Sequence, residues 1–202
     1  MRDLEIRGAG NLLGESQSGH MAAVGYDLYV KMVKEAVAEL NGQPIEKAVA
    51  LPSVDVPIDV YIPESYIDRA DLRLDLYSRF ARVTSLQDVD DLEAELSDRF
   101  GEPPIFVKNL VGLVRLQVRL LLIGVKELSV TRKVGSLGFE LKVSPVELPR
   151  SRSVRLKRLY PRALMKDNLK EIVVPLESKA VSLELIEKFC VEILFCETVT
   201  AV

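Results

Sequence analysis

The 202-residue sequence contains two cysteines, one histidine and 6% aromatic residues. Cys190 and Cys196 stand six apart on what reads as one helix. That spacing turns them to different faces, so no disulfide joins them and a reducing, cytoplasmic setting is expected. A single His20 excludes a paired-histidine zinc site and leaves a Ser–His–Asp arrangement without support. The longest unbroken apolar run, Leu120–Val125, holds Gly124 within it. It falls far short of the roughly 18–20 residues a membrane helix needs, so no membrane partner is expected. The opening Met1-Arg2-Asp3-Leu4-Glu5 has no apolar signal-peptide core. Within the basic stretch Arg150–Arg162 the one aromatic residue is Tyr160, which argues against a stacking platform for single-stranded nucleic acid.

Hydrophobic residues make up 48% of the chain and charged residues 28%, the balance of a globular domain, alone or with an appendage. The net charge of −3 conceals an asymmetry. Met1–Arg99 carries 10 basic and 19 acidic residues, and the remainder 17 basic and 11 acidic. Within Lys126–Lys170 the count is 12 basic to 4 acidic. An acidic first half and a basic second half suit different partners within a larger assembly, or else two solvated faces that partly offset each other.

Periodicity organises the chain further. Tyr26, Tyr29, Val30, Val33, Val37 and Leu40 recur at helical spacing, and Asn41-Gly42 supplies a C-cap. Pro44, Pro52, Pro57 and Pro63 then forbid a helix and predict an extended connector with an edge strand. A helix over Asp71–Val83 buries Leu72, Leu76, Tyr77 and Phe80. Ser85 with Asp88 makes a capping box for the next helix, whose stripe is Val89, Leu92, Leu96 and Phe100 and whose end is set by Gly101 and Pro103-Pro104. Pro104–Ile123 carries Lys108, Gly112, Arg115 and Arg119 as a narrow stripe and is almost entirely apolar elsewhere, which predicts the central buried helix. Leu128–Lys133 and Gly138–Val143 flank Val134-Gly135-Ser136 as a hairpin. Val146–Tyr160 fits either a strand or a short helix. A strand at Ile172–Leu176 and a helix over Lys179–Cys196 close the chain. The expected fold class is α+β, with a small antiparallel sheet packed against helices.

No catalytic constellation emerges. Gly8-Ala9-Gly10-Asn11-Leu12-Leu13-Gly14 lacks the Lys-Ser/Thr of a P-loop, and its third glycine comes one place too late for a dinucleotide fingerprint. Asp88, Asp90, Asp91, Glu95 and Asp98 read as a helix face, because cation sites need ligands converging from loops. The chain is therefore expected to be no enzyme by itself and to hold no cofactor. Arg150, Arg152, Arg155, Lys157, Arg158 and Arg162 are suited to phosphate contact, which keeps open an alternative: an autonomous nucleic-acid-binding module using residues 126–170.

Arg2 to His20, reading RDLEIRGAGNLLGESQSGH, resembles the translocation motif shared by the bacterial transcription-repair coupling factors (Mfd) and the RecG branch-migration helicases. Val24-Gly25-Tyr26-Asp27-Leu28-Tyr29, Tyr61-Ile62-Pro63-Glu64-Ser65-Tyr66-Ile67, Leu72-Arg73-Leu74-Asp75-Leu76-Tyr77 and Glu95-Leu96-Ser97-Asp98-Arg99-Phe100-Gly101 follow in the order of the coupling factors. The resemblance implies a C-terminal piece that starts after the last helicase motif. Residues 1–42 would complete a motor lobe with the translocation motif, 43–65 would be an extended linker and 66–202 a regulatory terminal domain.

The full-length family is an ATP-driven double-stranded DNA translocase. It displaces stalled RNA polymerase and recruits excision-repair proteins, and its ATP and magnesium site lies outside this chain. Arg7 and Gln17 match the pair that links hydrolysis to movement. A rigid guanidinium fork and a two-way amide suit a hinge with two hydrogen-bonded states. Arg7 is equally able to pair with Glu5 or Glu15 at the surface. Glu95, Asp98 and Arg99 match the residues that hold the terminal domain against the repair-protein-like domain near the family's N-terminus, masking its docking surface. Spacings of three and four put them on one helix side. The same spacing also permits a plain intrahelical Glu95–Arg99 pair.

Overall fold

The computed structural model describes residues 51–132, 138–178 and 180–195. Arg7, Gln17, His20, the glycine-rich segment, the helix expected at Tyr26–Leu40, the tip of the hairpin and Cys196 lie outside the described residues.

Five strands form one mixed sheet: β1 (Ser53–Asp55), β2 (Glu127–Arg132), β3 (Phe139–Ser144), β4 (Leu164–Lys166) and β5 (Glu171–Leu176), in the order β1-β2-β3-β5-β4. The β2–β3 hairpin, β3–β5 and β4–β5 pair antiparallel, as expected of a small antiparallel sheet. β1 adds a parallel edge, with Val54 opposite Leu128. Register aligns the apolar positions of neighbouring strands. Leu128 faces Val143, which faces Ile172, and one row along Val130 faces Leu141, which faces Val174. All six are buried, so a period-2 pattern on three strands makes one continuous apolar face.

Between β1 and β2 run three helices, α1 (Ala70–Phe80), α2 (Leu86–Phe100) and α3 (Ile105–Leu122). A parallel pair needs such a crossover, since no tight turn can bring the chain back in the same direction. α3 is the central helix, with ten buried residues from Val107 to Leu120. Its Gln117 Nε2 donates to Pro52 O at 2.9 Å in the interior and so fixes the start of β1 against the helix. The connector expected over 43–65 is therefore part of the fold across its described portion: Val54, Val60 and Ile62 are buried in the common core.

The ambiguous stretch Val146–Tyr160 is helical, as α4 (Arg150–Leu159). The last helix, α5 (Leu183–Phe189), continues as a π-helical segment over Cys190–Leu194. Gly112 of α3 lets α5 approach closely, because a Cβ there would lie 2.4 Å from Leu183 Cδ2. The helices pack in the succession α2, α3, α5 with its π continuation, then α4.

Candidate interaction surfaces

α2 is positioned by local chemistry at both ends. Ser85 Oγ accepts from Asp88 N at 3.1 Å while Asp88 Oδ2 accepts from Ser85 N at 3.2 Å, which completes the reciprocal box. The helix stops at Gly101, whose φ of 82° lies in the region that a side chain disfavours. Tyr66 locks this end from outside. Its hydroxyl donates towards Leu96 O at 3.0 Å and Gly101 O at 2.9 Å, and its ring meets Phe100 edge-on at 6.0 Å. Buried Val89, Leu92 and Leu96 hold the opposite face in the core.

Glu95, Asp98 and Arg99 lie beside that buried stripe, Glu95 half-buried and Asp98 and Arg99 exposed. The structure brings them together and adds a residue that sequence reasoning missed, Arg79 near the end of α1. Arg79 grips Glu95 with both terminal nitrogens, Nη1 reaching Oε1 at 3.0 Å and Nη2 bonding Oε2. Arg99 Nη1 also bonds Glu95 Oε1, so the intrahelical pair forms as well. Two guanidiniums thus surround one carboxylate, and they hold the Glu95 carboxyl at about 2, far below its ordinary range, the Arg79 bond contributing most. Arg99 also lies over the Phe100 ring, 5.0 Å from its centroid. Asp98 is exposed, with no hydrogen bond or ion pair among the described residues.

The arrangement has a clear chemical consequence. Glu95 is already saturated by its own chain and acts as the post that orients Arg79 and Arg99. Asp98 offers an open acceptor, and the two half-exposed guanidiniums offer open donors, so the end of α2 presents a small mixed-charge face. Arg79 left no signal in sequence because it reaches α2 across a helix–helix turn, sixteen positions before Glu95. Farther up α2, Asp90 and Glu93 accept from Arg115 Nη2 of α3 at 2.7 and 2.8 Å. Asp90, Glu93 and Glu95 thus spread along α2 and are bonded by arginines, and among the described residues no group of three or more acids, histidines or cysteines is placed to hold a metal ion.

The second charged surface is α4. Leu156 is its one buried residue, Val154 is 64% exposed, and the helix holds five basic residues and no acid. It is anchored by Arg152 Nη1 donating to Leu194 O and by Tyr160, whose hydroxyl meets Glu192 Oε2 at 2.8 Å and whose ring meets Phe189 edge-on at 5.3 Å. Burial and the neighbouring Glu192 push the Tyr160 phenol well above its ordinary value, so it stays a donor.

A small mixed sheet with a three-helix crossover and two oppositely charged helices defines an α+β domain, and its likeness among solved structures agrees. The crystal structure of the C-terminal domain of transcription-repair coupling factor superposes with a TM-score of 0.57 at 19% identity, covering 73% of this chain and 92% of that one. Sequence carries the likeness beyond fold. Residues 56–148 match the TRCF domain family. The transcription-repair-coupling factor of Mycobacterium bovis is 39% identical over 186 residues, covering 87% of this chain and 15% of the relative. That of Myxococcus xanthus is 44% identical over 138 residues, covering 67% of this chain and 11% of the relative. That of Bacillus subtilis is 42% identical over 118 residues, 58% and 10% respectively. The chain carries a TRCF domain and belongs with the C-terminal regions of the transcription-repair coupling factors. It spans about 15% or less of the length of these relatives.

Proposed function

We propose that this chain works as the lever and latch of a transcription-repair coupling factor. Residues 1–42 carry the translocation motif, in which Arg7 and Gln17 couple an ATP-driven motor to movement on double-stranded DNA. Residues 43–65 lead from this motif into a regulatory domain over 66–202, with their described portion packed into that domain's sheet and core. Through the end of α2 that domain holds the repair-protein-like domain of the same full-length protein and masks the surface on which excision-repair proteins dock. Engagement of stalled RNA polymerase releases the latch. The setting is cytoplasmic, and ATP and magnesium act elsewhere in the full-length protein.

The observation that carries this reading is the end of α2. Two arginines, Arg79 from α1 and Arg99 from α2 itself, are held by one carboxylate of α2, and an open aspartate of α2 stands beside them. A preset mixed-charge face of this kind forms several charge-assisted hydrogen bonds without first ordering its own side chains. Such contacts are individually modest and still screened by solvent, which suits a latch that must open. A differential contact energy of ~1–3 kcal/mol is enough to bias two states.

The test is made in the full-length coupling factor. Asp98→Lys with Arg99→Glu reverses the face while leaving the core of α2 intact. The expected result is stronger binding of the excision-repair protein, with ATP hydrolysis retained. Unchanged binding contradicts the latch.

A further inference from the structure

The proposed latch does not use α4. Helical geometry, at about 100° per residue, places Lys157, Arg150, Val154, Arg158 and Arg155 on one continuous arc, opposite buried Leu156. All five are exposed. Among the described residues no carboxylate pairs with Arg150, Arg155, Lys157 or Arg158. Elsewhere in this half of the chain Glu177 pairs with Arg162, Glu171 with Lys166 and Glu147 with Lys170. By contrast, Arg69, Arg73, Arg79, Arg99, Lys108 and Arg115 on the α1–α3 side each have an acidic partner.

We infer that the outward face of α4, formed by Arg150, Arg155, Lys157 and Arg158, is a binding site for the phosphate backbone of double-stranded nucleic acid. Three features select that ligand. From Arg150 to Arg158 the helix rises about 12 Å, which reaches roughly four phosphates of a duplex strand stepped at about 3.4 Å along the axis. Three of the four side chains are arginine, whose planar fork matches phosphate oxygens. The face is convex and its one apolar member is Val154, whereas a protein-docking surface is centred on buried apolar or aromatic anchors. A single-stranded ligand is disfavoured because no aromatic ring lies on the face for bases to stack upon. The contacts are to backbone, so sequence is not read.

This site is independent of the latch, and its test is separate. The 202-residue chain is titrated against a fluorescein-labelled 20-base-pair DNA duplex of arbitrary sequence, with a single-stranded oligonucleotide of equal length as competitor. Anisotropy should report binding at low salt, falling with a log–log salt slope of about −3 to −4 for four phosphate contacts. Arg155→Glu with Arg158→Glu should weaken binding at least tenfold. Arg155→Gln with Arg158→Gln should weaken it less, and the single strand should compete poorly. Arg69→Glu with Arg82→Glu makes the same change in net charge on the two flanks of α1 and should leave binding within twofold. No binding at 50 mM salt, equal loss in the Arg69/Arg82 variant, or preference for the single strand would overturn the assignment. Thermal melts of both double variants separate loss of the site from loss of the fold.

Discussion

α2 and α4 are of similar character on paper and differ in the folded domain. Each is a charged helix that offers one apolar side to the core. α2 carries six acids, and five are bonded within the chain: Asp88 in the cap, Asp90 and Glu93 to Arg115, Asp91 to Gln87, and Glu95 to Arg79 and Arg99. α4 carries five bases, of which, among the described residues, Arg152 alone is held, by a backbone carbonyl. Counter-charge explains the difference. Arg79 of α1 and Arg115 of α3 reach across to the acids of α2, while Glu177, Glu171 and Glu147 pair with Arg162, Lys166 and Lys170 and not with the bases of α4. A helix whose charges are answered internally is a shaped surface with few open groups. One whose charges are unanswered is a field awaiting a ligand.

Several substitutions sharpen or break that contrast. Phe189→Ala should have the largest effect. It removes a fully buried ring that seats both α5 and Tyr160 at the end of α4, and a cost of about 3–5 kcal/mol is expected in urea denaturation. If α4 is anchored as described, the loss should be accompanied by faster hydrogen exchange across Arg150–Leu159. Next comes Arg73→Met. The Arg73 guanidinium is buried and donates to Ile67 O at 2.7 Å, Asp68 O at 2.9 Å and Glu64 Oε1 at 2.9 Å. Methionine fills the space but leaves buried carbonyls unanswered, so a loss of about 2–3 kcal/mol is expected from the same measurement.

Glu95→Gln is expected to cost about 1 kcal/mol near neutral pH, since the carboxylate is at the surface and its pairs are screened. The pH dependence is more telling. Folding lowers the Glu95 carboxyl from 4.5 to about 2, so its contribution is fully present above about 4.5 and disappears as pH falls towards 2. The stability of the Gln variant should therefore converge on that of the parent between pH 4.5 and 2. Parallel curves through that range would show that the arginine clamp is not formed in solution. The smallest effect should come from Arg155→Glu with Arg158→Glu. With no internal partners to lose, these changes should move stability by no more than ~0.5 kcal/mol. A large destabilisation would mean that α4 is tied down after all.

Local chemistry is what the sequence made legible. The Ser85–Asp88 cap, the Gly101 stop, the β2–β3 pairing and the buried stripe of α3 each follow from residues a few positions apart or from a simple period. Long-range partners were not. Arg79 meets Glu95 across two helices, and buried Arg73, expected on no apolar face, is held by the preceding loop and Glu64. Gly112 read as one of four polar-stripe positions, yet it is where α5 touches α3. α4 was ambiguous because Val154 and Leu156 alternate as in a strand, and one buried residue in ten is too little to reveal a helical period. β4 has three residues, one of them half-buried, and pairs only because the αL turn at Lys170 folds it back on β5. For the candidate surfaces, the family resemblance pointed to Glu95, Asp98 and Arg99. The clamp that orients them required the fold.

One assay sets the two helices against each other: affinity of the full-length coupling factor for the excision-repair protein proposed to dock on it, measured with Asp98→Lys/Arg99→Glu and with Arg155→Glu/Arg158→Glu. The account predicts a rise in affinity for the α2 variant and none for the α4 variant. Equal behaviour of the two, or a rise confined to the α4 variant, would contradict it.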